Sequence, residues 1–356
     1  MTAPAGPAEL IDAAVADGTV PGAVLAAGVR DAEPLLLHVA GDAQRDAASR
    51  RPMTAGTVFD LASLTKVVAT TPCILHLAGR GEIGLDEPVR RYLPAFAGPG
   101  KETVTVRQLL THASGLPDQR RYYQQPRRRA QILAAALAEP LAAEPGAAVC
   151  YSDIGFIVLG ELAAAVAGCG LDELAQRIVC EPLAMTATRY RPSRDWAGRI
   201  AATEPVGGTA KVGVVHDENA EALGGLAGHA GLFGTAADLG RYAAAWASPD
   251  GPGTVLPLPG RLRAEALRCQ TEGLDGRRGL GWGLRGDRWD NMGDGWPAAG
   301  AGHTGFTGTS LSLDPGSGLW AVLLTNAVHF GRGPEHSVVG LRKRVHAAVA
   351  AALAAG

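Results

Sequence analysis

Residues 57–79 read TVFDLASLTKVVATTPCILHLAG, and the hydrophobic period changes within the stretch. Thr57–Leu61 is a short extended piece. Beyond it, Val67, Val68, Thr71, Ile74, Leu75 and Ala78 recur at the spacing of one helix face. Ser63-Leu64-Thr65-Lys66 opens that helix. Residues three apart share a helical face, so the Lys66 amine can reach the Ser63 hydroxyl. A helix N-terminus also favours negative charge developing on that oxygen. Taken alone the tetrad is equally a surface serine and lysine, and its weight depends on the rest of the chain.

Upstream, Leu10, Ile11, Ala14 and Val15 suggest a short helix closed by Gly18 and Pro21. The apolar runs Ala23–Val29 and Pro34–Val39, with an acidic turn between them, read as an antiparallel hairpin. Downstream, residues 80–200 are helical and heavily punctuated. Asp86 caps a helix carrying Pro88, Val89, Tyr92 and Leu93, and Thr105–Gln108 is a capping box for a helix through His112. Gln131–Glu139, Asp153–Val166 and Asp172–Cys180 are further helices. Thr235 caps another, and Arg261–Gln270 reads as helical. Strand-like runs then follow at Gly279–Arg285, Gly302–Phe306, Thr309–Leu313 and Leu319–Thr325. The closing helix Ser337–Ala354 turns Val339, Leu341, Val345 and Val349 inward. Strands at both ends and helices between them predict an α/β (α+β) fold: one antiparallel sheet flanked by helices, with an all-helical insert. The expected division is 1–80 plus 205–356 for the sheet domain and 81–204 for the helical subdomain, with the site in the cleft between them.

The chain has 356 residues, 47% of them hydrophobic, which is a globular rather than a disordered composition. A formal net charge of −2 provides no field to recruit nucleic acid or an anionic membrane. The local basic run Arg127–Arg129 reads as a solvated helix start. No run of 18 apolar residues predicts a membrane span, and the first residues lack the basic and apolar regions of a secretory signal. Five scattered cysteines (73, 150, 169, 180 and 269) read as reduced, mostly buried thiols, so a cytoplasmic location is expected. His216-Asp217-Glu218-Asn219 has no second ligand pair at zinc spacing, and neither a metal nor a cofactor is expected. These residues and His229 read as hydrogen-bonded loop groups bordering the cleft, His112 as a structural helix-end histidine, and Cys150 as a buried thiol.

Two more pieces complete the pattern. Tyr151-Ser152-Asp153 stands just before a strongly amphipathic helix, where a tyrosine can project across a cleft. His303-Thr304-Gly305 lies in a strand bounded by glycines, which permit close approach of a ligand or another backbone. In this order, with Ser63–Lys66, they resemble the Ser-x-x-Lys, Tyr-x-Asn and Lys-Thr-Gly signatures of the penicillin-recognising serine enzymes. The branch they resemble is the class C β-lactamase-like one, which includes esterases, D-alanyl carboxypeptidases and transacylases. Leu109–Leu116, Glu181–Met185, Gly228–Leu239 and Gly305–Gly308 extend the resemblance over nearly the whole chain.

The resemblance implies that Ser63 is acylated, that Lys66 and Tyr151 share the base role, and that the Ser63 and Phe306 N–H groups form an oxyanion hole. It also implies that Asp153, His303, Thr304, Gly305 and Phe306 bind substrate. Two departures matter. Asp153 replaces the usual Asn, and a carboxylate there favours a protonated Lys66, shifting base work to Tyr151. His303 replaces the usual Lys, and a neutral imidazole is a poor partner for a substrate carboxylate. Both predict a small neutral ester or amide substrate, with an amine acceptor if the acyl group is transferred, rather than a β-lactam or D-alanyl peptide. The cytoplasmic expectation and the resemblance together suggest natural-product tailoring. Trp282, Trp289, Trp296 and Trp320 are candidates for the acyl pocket. The competing readings are a non-catalytic sensor that keeps the pocket, and a cysteine hydrolase using Cys150. Oligomeric state is not legible in the sequence.

Overall fold

The computed structural model describes residues 5–46, 49–124, 128–248 and 255–354. The chain enters through α1 (Pro7–Ala16) and strands β1 (Gly22–Val29), β2 (Leu36–Arg45), β3 (Arg50–Pro52) and β4 (Phe59–Asp60). Helices α2 (Thr71–Gly79), α3 (Val106–Leu110), α4 (Arg129–Ala138), α5 (Asp153–Ala167) and α6 (Leu171–Ala175) follow. After β5 (Arg189–Tyr190) come the hairpin β6 (Thr203–Val206) and β7 (Thr209–Lys211), α7 (Glu218–Ala222), β8 (Leu232–Gly234), α8 (Ala236–Ala247) and α9 (Gly260–Ala266). The chain closes with β9 (Gly283–Leu284), β10 (Ala301–Thr304), β11 (Ser310–Leu313), β12 (Leu319–Thr325) and α10 (Val339–Ala354).

Strands from both ends of the chain meet in one sheet of order β3-β2-β1-β12-β11-β10-β9. Its pairings are antiparallel; Leu25 faces Leu323 and His303 faces Leu311. Along β12, Leu319, Ala321 and Leu323 join Ile11, Leu341, Val345 and Val349 in the layer formed by α1 and α10. Trp320, Val322 and Leu324 point the other way, into the larger core with α8. Both faces are covered, which is why β1 and β12 read as unbroken apolar runs rather than alternating ones. Trp320 lies flat between two glycines: a Cβ on Gly28 or on Gly240 would come within 2.7 or 2.9 Å of its ring.

Several sequence expectations change here. The helix expected after Asp86 is only a 3₁₀ turn, Val89–Arg91: Pro88 is extended, Val89 N–H donates to Val104 O, and the Asp86 carboxylate pairs with Arg107 instead. The strand expected over Gly279–Arg285 shrinks to Gly283–Leu284, because Gly281 turns at φ +82°. Gly260–Ala266 is shorter than expected, and the Asp172–Cys180 helix changes to a π turn at Gln176. Val339 does not face inward but is 59% exposed. Of the cysteines, only Cys73 and Cys180 are fully buried, and all five are free thiols. Arg127 of the basic run lies outside the described residues; Arg129 opens α4 with its side chain exposed.

The segment that opened the sequence reading also differs in detail. Ser63 sits in the turn after β4, Lys66–Thr70 is a π turn, and α2 begins only at Thr71. Pro72 explains this, since it has no N–H to give to the carbonyl four residues back. Thr71 N–H bonds Lys66 O instead, and the Val67 carbonyl so released accepts the Tyr242 hydroxyl. Pro72 is visible in the sequence and was the available signal for this widening.

Candidate active site

Ser63 is presented by a strained and tightly tied turn. Ala62 has φ +46°, in the left-handed region that residues with a Cβ adopt at a cost of about 1 kcal/mol. The buried Asp60 carboxyl holds the turn by accepting Ala62 N–H at 2.9 Å and His216 N–H at 2.6 Å. Burial raises that carboxyl above its ordinary range, against these hydrogen bonds and the His216 charge. Thr307 Oγ1 donates to Asp60 O at 2.8 Å, and Thr309 Oγ1 to Leu61 O at 3.1 Å. The turn after β10 is thus fastened to the turn carrying Ser63. Gly305 is required there, since a Cβ would stand 2.5 Å from Leu61 O. From the far side, Arg342 on α10 donates to Gly305 O at 2.6 Å and to Thr309 O at 2.9 Å. Neither Ser63 N–H nor Phe306 N–H has a hydrogen-bond acceptor among the described residues, which leaves both free for an oxyanion.

The Lys66 ammonium is fully buried and donates to Ser63 Oγ at 2.8 Å. It also meets Asp153 Oδ1 at 2.7 Å and the His229 carbonyl at 3.2 Å. The Tyr151 ring lies beside it, its centroid 4.9 Å from Nζ. Hydroxyl, amine and phenol, separated by as much as 88 positions in the chain, therefore meet in one place. Tyr151 gets there because Ser152 caps α5, accepting Gly155 N–H at 3.1 Å and donating its hydroxyl to Pro117 O at 2.6 Å.

Electrostatics divides the roles. Burial pushes the Lys66 ammonium down, but the Asp153 and Tyr151 charges and hydrogen bonds outweigh it and hold it above the ordinary lysine range. Lys66 is therefore a proton-bearing cation, suited to stabilising a Tyr151 phenolate. Asp153→Asn keeps the shape and removes the charge, so burial dominates and the Lys66 proton is lost at lower pH. The alkaline limb of the kcat/KM profile for p-nitrophenyl acetate is expected to move to lower pH. An unmoved limb would show that Asp153 does not hold that proton.

His303 and His112 flank Tyr151, with ring centroids 5.9 and 4.5 Å away. His303 Nδ1–H donates to Thr304 O at 2.9 Å, leaving Nε2 buried without a partner. Burial first, then the charges of Lys66 and Arg278, push His303 down to about 3, so it is neutral. His112, expected as a helix-end residue, does more. It sits at φ +59°, accepts Ser152 N–H at 3.0 Å, and packs its neutral ring against Tyr151.

Ser63, Tyr151, His303, Thr304 and Phe306 line a cleft of ≈ 600 Å³ whose outer wall includes Trp289, Met292, Val338 and Val339. Among the tryptophans only Trp289 belongs to it. Trp282 and Trp320 are core residues, and Trp296 packs with α10. Phe306 is 62% exposed at the mouth, between the His216 ring and Arg332. The residues His216 to Asn219 each have partners of their own. His216 pairs with Glu204, Asp217 with His229, Glu218 with Arg332, and Asn219 ties Arg120 and Tyr123. Cys150 is half-buried; burial and Asp118 raise its thiol, the opposite of what a cysteine nucleophile needs.

A serine hydroxyl held by a buried ammonium, with a tyrosine beside both and free amides at an adjoining turn, defines a serine hydrolase or acyltransferase that works through an acyl-enzyme. The Beta-lactamase family model matches residues 8–340. A relative from Escherichia coli (strain K12), named putative D-alanyl-D-alanine carboxypeptidase, is 32% identical over 311 residues, covering 78% of this chain and 70% of that protein. Among solved structures, EstCE1, a hydrolase with promiscuous acyltransferase activity, superposes with TM-score 0.77 at 21% identity, covering 96% of each chain. A penicillin-binding protein homologue from Caulobacter crescentus gives 0.76 at 22%, covering 98% of this chain and 96% of its own. The chain belongs to the beta-lactamase family.

Proposed function

We propose that this enzyme cleaves a small neutral ester or amide, forming an acyl-Ser63 intermediate that passes to water or to an amine. The observation that carries this is His303, neutral and buried, where the family signature has a lysine for a substrate carboxylate. The three arginines in the cleft wall do not replace that lysine. Arg278 pairs with Asp287 at 3.1 Å, Arg332 with Glu204 and Glu218, and Arg342 is engaged with the Gly305 and Thr309 carbonyls. The apolar rim of Trp289, Phe306 and Val339 suits an acyl chain or aromatic leaving group.

In the reaction, Tyr151 as phenolate takes the Ser63 proton while Oγ attacks the carbonyl, and Lys66 offsets the changing charge. The oxyanion is received by the Ser63 and Phe306 N–H groups. The proton on Tyr151 then passes to the leaving group, and the same phenolate activates the acceptor for deacylation.

The test is a substrate panel: p-nitrophenyl acetate and butyrate, nitrocefin, and an N-acyl-D-Ala-D-Ala peptide, each with and without added amine. The neutral esters are expected to turn over and the two carboxylates not. His303→Lys should raise kcat/KM for the carboxylates relative to the esters by about ten- to a hundredfold, the worth of one charged hydrogen bond. Parent enzyme cleaving the D-Ala-D-Ala peptide as well as the esters would replace this reading with the carboxypeptidase activity for which the E. coli relative is named.

A further inference from the structure

The ammonium of Lys66 has three N–H donors. Asp153 and the His229 carbonyl occupy two of them, so the third is left to Ser63 and Tyr151, where the reaction occurs. The aim of that third donor depends on where the His229 carbonyl stands. The backbone on its N-terminal side is wedged in place. A Cβ on Gly228 would lie 2.0 Å from Phe156 O, and Gly228 O accepts Thr70 Oγ1 at 2.6 Å. The His229 side chain is held separately. It is 1% exposed, and its Nε2 lies 2.8 Å from Asp217 Oδ1. The same carboxylate oxygen accepts Ala220 N–H at 2.7 Å as the cap of α7. Neither residue is among those lining the cleft at Ser63, and the sequence suggested for both a hydrogen-bonded loop position bordering it.

We propose that Asp217 and His229 are positioning residues for Lys66: the carboxylate grips the buried imidazole, the imidazole sets its own carbonyl, and the carbonyl aims the ammonium at Ser63. The inference rests on the acyl-enzyme reading above. Asp217 also adds charge. Burial pushes its carboxyl up, but the charge and hydrogen bond of His229, the Ala220 N–H and the Lys66 charge outweigh burial and keep it ionised. The groups facing Lys66 are Asp153 and Tyr151 at the start of α5, neutral His112 after α3, neutral His303 and cationic Arg278 on the sheet side, and Asp217 through His229. Asp217 itself also faces buried Asp60. Removing the Asp217 charge therefore eases deprotonation of Lys66.

Asp217→Asn keeps an oxygen for the α7 cap but loses the charge that strengthens the bond to His229, so it loosens the grip on the imidazole. In stopped-flow acylation by p-nitrophenyl acetate it is expected to slow the burst by about ten- to a hundredfold. KM should stay within about twofold, and the alkaline limb should move to lower pH, with Asp217→Glu restoring most of the rate. A stably folded Asp217→Asn enzyme that acylates within about twofold of parent with an unmoved limb overturns the proposal. Should Asp217→Asn not fold, His229→Gln, which keeps a side-chain N–H, is compared with His229→Ala. Gln acylating faster than Ala supports the clamp, and equal rates overturn it. Ser63→Ala separates the two levels. Turnover surviving in it removes the acyl-enzyme reading, whereas an inactive Ser63→Ala beside an unaffected Asp217→Asn removes this inference alone.

Discussion

Ser63→Ala is expected to lower kcat for p-nitrophenyl acetate by about a millionfold, and to leave the intact mass unchanged after fluorophosphonate treatment. The parent should gain one adduct, which peptide mapping places on the segment containing Ser63. The size of the effect follows from the site. Among the described residues, the one free nucleophile beside both the ammonium and the unpaired amides is Ser63 Oγ, and Cys150 carries a thiol raised by burial. With the hydroxyl gone, the amides and the cleft still bind substrate but have no attacking atom to serve. Turnover surviving the change, or an adduct elsewhere, would transfer the chemistry to another residue.

Tyr151→Phe should lower kcat by about a thousandfold with KM little changed, in the range for loss of a positioned acid–base group. The phenyl ring can keep its packing against His112 at 4.5 Å, so the fold and Ser152 cap should survive. What disappears is the oxygen that takes the Ser63 proton. Lys66 cannot substitute, because Asp153 keeps it charged. The double variant Ser63→Ala/Tyr151→Phe should be no slower than Ser63→Ala alone, since the two groups act on one proton. A Tyr151→Phe enzyme retaining a tenth or more of the rate would return the base role to Lys66, as about tenfold is too small for a missing general base.

Much of this was legible in the chain. The period change after Leu61, the unbroken apolar runs of β1 and β12, and the capping signals at Thr105 and Thr235 are local consequences of side-chain shape and burial. So was the candidate triad, because Ser63 and Lys66 are one turn apart and Tyr151 stands at a helix start. The readings that failed were those needing a partner to be known. Val339 has the spacing of an inward position, yet it begins α10 beside the open cleft. Trp282 and Trp289 look alike in sequence, and only packing sends one into the core and the other to the rim. Asp86 has cap chemistry, but Arg107 claims it.

By itself the sequence determined the family, the sheet-and-helix class and the types of group available for catalysis, because those depend on periodicity and on short motifs. Only the tertiary structure decided how the groups are charged and aimed. Lys66 is an ammonium because Asp153 and Tyr151 close on it in a fully buried site, and His303 is neutral because burial and two nearby cations leave a proton no welcome there. Asp217 reaches the site through His229, twelve residues on. Protonation and aim depend on distance and solvent exclusion, and neither is a property of any one stretch of chain.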